Sequence, residues 1–312
     1  MYKVDWNDND SLGPIFSIVI PTFNRAELLE KAIVSILNQK FQNWELIIVD
    51  NTSTDNTSSI IDKYIRDHRI YFYQIRNDGI IAKSRNYGIS KAKGEWLCFL
   101  DSDDQFTPNK LDIIYNNISD KYDFLYHSVY KVNYNTNKLI GKYRSDDINQ
   151  SNPFKNLIFG GQPFATSSVV VRKNVICDVG CFSENRNFVA CEDFHCWLKI
   201  SLITTKFKFI NHYLGSIYVH NNNTSNINMS LPLSFVYEYF SSHLNSNDLK
   251  ATKMIVIFYN IKYILNRRNY LSLGCAGKDV VKFLNYRVAF TLFTSFFLIK
   301  LKRKIFCIFP KL

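Results

Sequence analysis

Acidic residues all but vanish from the last fifth of this 312-residue chain: positions 251 to 312 carry 12 Lys or Arg against a single acid, Asp279. The 26 basic and 26 acidic residues of positions 1 to 250 cancel, so the whole net charge of +11 lies in that final stretch. Also missing is an apolar run of the roughly 20 residues that a bilayer-spanning helix takes. The twelve residues Val288 to Ile299, bounded by Arg287 and by Lys300, Lys302, Arg303 and Lys304, fall short of it. The seven cysteines form no Cys-x-x-Cys pair, and the spacing of Cys177, Cys181, Cys191 and Cys196 around His195 fits no zinc pattern. An odd cysteine count with no signal peptide gives the expectation of a reducing cytoplasm. There, Asn51-Thr52-Ser53 has no meaning as a glycosylation site. No internal repeat is present, which excludes a solenoid.

What is there suits a globular protein with a full core. Hydrophobic residues make up 46% and aromatics 15%, and the length allows one large domain with an appendage. A basic, aromatic, apolar tail reads as an element lying on a membrane surface, held by acyl burial and by attraction to anionic lipid. The same charge could serve nucleic acid, but the tail is more apolar than a phosphate-binding arm needs, so no nucleic-acid partner is expected. A core helix with a solvated basic edge is the plain alternative.

Apolar strand runs alternate with helical periodicity through the first hundred residues. Phe16 to Ile20, ended by Pro21, precedes a helix over Glu27 to Gln39. Glu45 to Val49 precedes a helix capped within Asn51 to Thr57 and running to about Asp67. Ile70 to Ile75 precedes Ile80 to Ala92, and Trp96 to Leu100 is a fourth strand. Units of this kind predict an α/β fold with a mostly parallel sheet covered by helices, whose ligands gather outside the carboxyl ends of the strands. Thr22, Asp50, Asn77 and Asp101 stand at those ends. Beyond Pro108 the pattern is mixed: a hairpin of Asp123 to Val132 and Lys138 to Tyr143, a strand over Thr166 to Arg172, a helix over Glu192 to Leu202 and an extended Lys206 to Val219. From about Pro232 it reads as helical to the end.

Three carboxylates within Asp101-Ser102-Asp103-Asp104 repel one another unless a hard cation or a metal-bound phosphate neutralises them. A solvated acidic turn is the simpler reading. A phosphatase would place a small residue and then Thr or Val after the second Asp, and Asp104-Gln105 follows instead. A helix-loop-helix calcium site would need Gly at its sixth position and Glu at its twelfth, where Phe106 and Asp112 stand.

Pro21-Thr22-Phe23-Asn24-Arg25, Val49-Asp50-Asn51-Thr52-Ser53-Thr54-Asp55, Asn77-Asp78-Gly79, Ser84-Arg85-Asn86-x-Gly88, Asp101-Ser102-Asp103-Asp104 and Glu192-Asp193 occur in this order. Together, over residues 15 to 225, they resemble family 2 glycosyltransferases of the GT-A fold. The resemblance implies a GT-A catalytic domain, residues 1 to 225, followed by a helical basic extension, 226 to 312. It implies a UDP-sugar donor, with Asp50 accepting from the uracil ring beside the Pro21-Thr22 turn, Arg85 near base and phosphates, and Asp101 facing ribose and metal. Mn2+ or Mg2+ would be held by Asp103 with Asp101. His220 matches a late metal or phosphate contact, although Tyr218 stands where the family often carries Arg. Asp193 would be the general base of an inverting transfer. Asp50 as a turn cap, Arg85 as a surface residue and Glu192-Asp193 as acids at a helix start are the structural alternatives.

With the basic tail, these expectations give a cytoplasmic enzyme peripheral on the inner face of the cell membrane. It would move a hexose or N-acetylhexosamine onto an undecaprenyl-diphosphate-linked saccharide in O-antigen or capsule synthesis. A soluble or protein acceptor, or a non-catalytic carbohydrate-binding member of the fold, are the alternatives.

Overall fold

The protein was analysed as a computed structural model, which describes residues 13–220 and 228–266. The apolar segment 288–299 and its basic flanks, expected at a membrane surface, lie outside the described residues. Among the described residues no helix is long and apolar enough to cross a membrane. The chain divides into two compact units that change over at 226/227, with residues 158–160 belonging to the second.

The first unit opens as β1 (Phe16–Thr22), α1 (Ala26–Leu37), β2 (Trp44–Asp50), α2 (Thr57–Tyr64), β3 (Ile70–Gln74), α3 (Ile81–Lys91) and β4 (Trp96–Phe99). β1, β2 and β4 are buried throughout, as their unbroken apolar runs require of strands covered on both faces. β2 and β4 flank β1, β3 lies outside β2, and all of these pairings are parallel. Pro21 does not end β1. The register with β4 stops at Val19↔Phe99 while that with β2 runs on through Thr22↔Asp50, so the missing amide at position 21 costs no ladder bond to β4. α3 rests on β1 at Gly88, where a Cβ would overlap the Val19 side chain.

The rest of the unit comprises β5 (Asp104–Phe106), α4 (Lys110–Tyr115), β6 (Phe124–Asn133), β7 (Leu139–Tyr143), α5 (Pro153–Gly160), β8 (Val170–Arg172), α6 (Lys173–Asp178), α7 (Glu192–Ile203) and β9 (Phe207–Val219). The sheet runs in the order β3-β2-β1-β4-β8-β6-β9-β5, with β7 on β6. The parallel expectation therefore describes β1 to β4. Past them β8 runs antiparallel to both β4 and β6, β5 antiparallel to β9, and β6 parallel to β9. The strand expected over Thr166 to Arg172 begins as a 3-10 turn, Thr166–Ser168, and only Val170–Arg172 pairs. In the second unit α8 (Ser230–Tyr239) packs on α9 (Ser246–Asn266).

Trp197 anchors α7 by meeting Phe99, Phe124 and Phe182. His195, on the same helix, is 2% exposed and stacks on Phe188 at 4.3 Å. Burial, with help from Lys199, pushes its imidazole from 6.5 down to about 4. The unfolded chain takes up this proton first, so the stability that neutral His195 contributes is complete above pH 6.5 and is lost as pH falls toward 4. His195→Phe is expected to flatten that limb while changing stability at pH 8 little, as read from urea unfolding at pH 8, 6 and 5.

Candidate functional site

Because β1 to β4 are parallel, their carboxyl ends share one edge of the sheet, where Thr22 and Asp50 close β1 and β2 and the chain leaves β3 and β4 toward Asn77 and Asp101. Thr22 is buried and its hydroxyl has no partner among the described residues, while its carbonyl accepts the Asn51 amide at 2.9 Å. Asp50, fully buried, accepts from the Ser53 amide at 2.9 Å, from the Ser53 hydroxyl and from Gln74 Nε2 at 3.1 Å. It shapes the turn after β2 rather than capping α2, whose N-cap is Asn56. The turn is laced to the one after β1: Asn24 Oδ1 accepts the Thr54 amide at 2.8 Å, Ser53 Oγ accepts the Asn24 amide at 2.8 Å, and Asp55 accepts the Ala26 amide that begins α1 at 3.0 Å.

The acidic tetrapeptide is a loop that ends by entering the sheet, since Asp104 begins β5 and pairs with Ile217 of β9. Each carboxylate meets a different neighbour. Asp101 takes Arg85 Nη2 at 2.8 Å and is about a third exposed. Asp103 Oδ2 takes both Arg25 Nη1, at 2.8 Å, and His220 Nε2, at 2.9 Å. Asp104 points inward, accepting the Ser167 hydroxyl at 2.5 Å and the Tyr218 amide at 3.3 Å. Burial, and then the charges of Asp103 and Asp101, hold the Asp104 carboxyl well above the usual carboxylate range.

Arg85 is 3% exposed and its guanidinium meets two carboxylates: Nη1 meets Glu192 at 2.8 Å and Nη2 meets Asp101. Burial disfavours its charge, but Asp101, Glu192 and Asp193 outweigh burial and keep it protonated. Glu192 is pushed up by burial, offset by Arg85 and reinforced by Asp193. Asp193, next in α7 and partly exposed, has Oδ2 on the Thr166 hydroxyl at 2.6 Å and on Gln162 Nε2 at 3.2 Å, and Oδ1 on the Phe194 amide at 2.7 Å.

The fold thus sets Asp50, Thr22 and Pro21 on the rim formed by β1 and β2, joins Asp103 to His220, and joins Asp101 to the start of α7 through Arg85. Sequence reasoning did not single out Arg25, Thr166, Gln162 or Ser167. Arg25 lay inside a quoted motif, and a cation in the turn facing an acidic loop was a usable signal. The other three hold their positions through contacts 27 to 66 residues away in sequence, which leave no local pattern.

Among the described residues no three His, Cys, Asp or Glu side chains converge as a ready-made metal cage. The Asp103 carboxylate and His220 imidazole nevertheless approach at one oxygen, with Asp101 on the same short loop. One or two carboxylates completed by substrate phosphates is the usual manner of holding Mg2+, and carboxylate oxygen suits Mn2+ as well. The donor set fits a cation carried in with a diphosphate.

The profile of the Glycosyl transferase family 2 domain matches residues 17–180. Glycosyltransferase GlyG of Streptococcus pneumoniae is 29% identical over 163 residues, 52% of this chain and 49% of that protein. The GalNAc(5)-diNAcBac-PP-undecaprenol beta-1,3-glucosyltransferase of Campylobacter jejuni is 36% identical over 115 residues, 35% of this chain and 36% of that protein. The chain therefore spans half or less of the length of these curated relatives. Among solved structures, S. aureus TarS 1-349 in complex with UDP-GlcNAc superposes with a TM-score of 0.59 at 20% identity, covering 84% of this chain and 77% of that one.

Proposed function

Since the chain belongs to glycosyltransferase family 2, we propose that it transfers a hexose or N-acetylhexosamine from a UDP-sugar to an undecaprenyl-diphosphate-linked saccharide, building a β-linkage in a surface polysaccharide repeat unit. The observation that carries this reading is the Arg85 bridge. One buried guanidinium holds Asp101, on the leaving-group side, and Glu192, next to the base, so that the two halves of an in-line displacement stand at fixed spacing.

Asp193 Oδ takes the proton of the acceptor hydroxyl as that oxygen attacks the anomeric carbon. The bond to UDP breaks on the opposite face, and an α-linked donor gives a β-linked product. Thr166 and Gln162 orient the carboxylate by donating to Oδ2. Pro21, Thr22 and Asp50 form the wall for the uracil, with the unpartnered Thr22 hydroxyl as a free polar group there. Asp103 and His220, with Asp101 beside them, would hold Mn2+ or Mg2+, and Arg25 adds positive charge at that place. When bound, the cation neutralises charge on the departing diphosphate. The lipid-linked acceptor in the Campylobacter relative's name and the UDP-GlcNAc bound by TarS support the choice of partners.

UDP release by the full chain with Mn2+, UDP-glucose, UDP-galactose or their N-acetyl forms, and a synthetic lipid diphosphate GlcNAc or GalNAc, tests the reading. Turnover with a soluble sugar but none with the lipid would move the acceptor to another class. The basic tail is proposed to keep the enzyme peripheral on the inner face of the cytoplasmic membrane. Removing residues 280–312 is expected to release it from pelleted membranes, and continued pelleting would refute that role.

A further inference from the structure

A lysine lies in the core beneath the acidic loop. Lys110, the first residue of α4, is fully buried. Its ammonium stands 3.4 Å from the centroid of the Phe106 ring and donates to the Ser167 carbonyl at 2.9 Å. Burial pushes it from 10.5 down to about 7, with Cys98 and Asp104 opposing that shift. Leucine or methionine would fill the same volume without desolvating a cation, so packing gives no reason for a lysine here.

The oxygen it donates to gives one. Ser167 touches both ends of the acidic loop: its hydroxyl accepts the Asp101 amide at 3.1 Å and donates to the Asp104 carboxylate at 2.5 Å. The other Asp104 oxygen accepts the Tyr218 amide at 3.3 Å, two residues before His220. Asp103 lies between these two anchored residues. A donor on the Ser167 carbonyl therefore fixes the 3-10 turn Thr166–Ser168, that turn fixes the loop, and the loop sets where Asp103 meets His220.

We propose that Lys110 is a positioning residue for the cation and diphosphate site, acting through Ser167 on the Asp101-to-Asp104 loop from behind. The inference rests on the proposed reading of Asp103 and His220 as that site. Outer partners that orient ligands are worth about 10- to 100-fold in metal affinity.

The test is the affinity of the full chain for UDP, measured by calorimetry with Mn2+ and again with EDTA, in wild type, Lys110→Met and Ser167→Ala, with thermal unfolding of each. Both variants are expected to lose about 10-fold or more of the Mn2+-supported UDP affinity, to keep the affinity seen in EDTA, and to unfold cooperatively. A merely structural lysine would lower the unfolding midpoint and leave the Mn2+-dependent increment intact. That result for Lys110→Met would overturn the proposal. If Lys110→Met does not fold, Ser167→Ala tests the relay through which Lys110 acts, since it keeps the carbonyl that takes Lys110 and removes the hydroxyl that holds the loop: a lost Mn2+-dependent increment supports the proposal and an intact one overturns it. A wild type whose UDP affinity ignores Mn2+ would bring down the cation reading and this inference together, an outcome distinct from a metal-dependent wild type matched by its variants.

Discussion

Asp193→Ala is expected to lower kcat by about 10²- to 10⁴-fold, the range that a positioned general base supplies, with Mn2+-supported UDP affinity unchanged. The separation follows from geometry. The Asp193 carboxylate is held by Thr166, Gln162 and its own helix, whereas Arg25 and His220 meet on Asp103. It is also partly exposed, so its removal strands the Thr166 hydroxyl at a cost of only about 1 kcal/mol. Steady-state UDP release with saturating donor and acceptor gives kcat, and calorimetry gives UDP affinity. Full activity in the variant would remove Asp193 from its assigned role, whereas loss of UDP binding would place it in the donor site.

The second large effect concerns stability. Arg85→Met leaves the buried Glu192 carboxylate without its cation, and breaking a buried pair by deleting one partner costs about 3–5 kcal/mol. The variant's stability should also acquire a particular pH dependence. Burial already pushes Glu192 up, and without Arg85 the larger part of what offsets that push is gone, leaving a backbone hydrogen bond. A folded carboxyl raised above its unfolded value of 4.5 binds its proton more tightly in the folded chain. Its contribution is thus complete at low pH and is lost as pH rises through the folded value. Urea unfolding should find Arg85→Met closer to wild type at pH 5 than at pH 8. Arg85→Met with Glu192→Gln should recover part of the loss at pH 8, and equal deficits at both pH values would show that Glu192 is not the stranded charge.

The first half of the sheet was legible because each of its elements is marked locally. β1, β2 and β4 are apolar runs, and α1 carries Leu29, Ile33 and Ile36 at helical spacing. Elements whose reason lies elsewhere in the chain were not legible. β5 is three residues whose strand character comes wholly from β9, more than a hundred residues later. α5 and α6 are helices of eight and six residues, too short for an apolar spacing to repeat. The same division runs through the site. Carboxylates at strand ends can be read one by one, but that Arg85 would turn from the rim toward Glu192 depends on where α7 lands, 107 residues on. Nothing adjacent in sequence marks Lys110 as buried.

Gly88 follows Arg85 by three residues, so both lie on the face of α3 that meets the sheet. The depth of that helix is set by the hydrogen atom that stands at Gly88 in place of a methyl group, because Val19 occupies the space a Cβ would need. Lifting α3 would draw the guanidinium away from Asp101 and Glu192 at the same moment. The spacing of the Asp101 and Glu192 carboxylates on either side of Arg85 is thereby gauged by one glycine, and a methyl group at position 88 would reset both ion pairs without touching either acid.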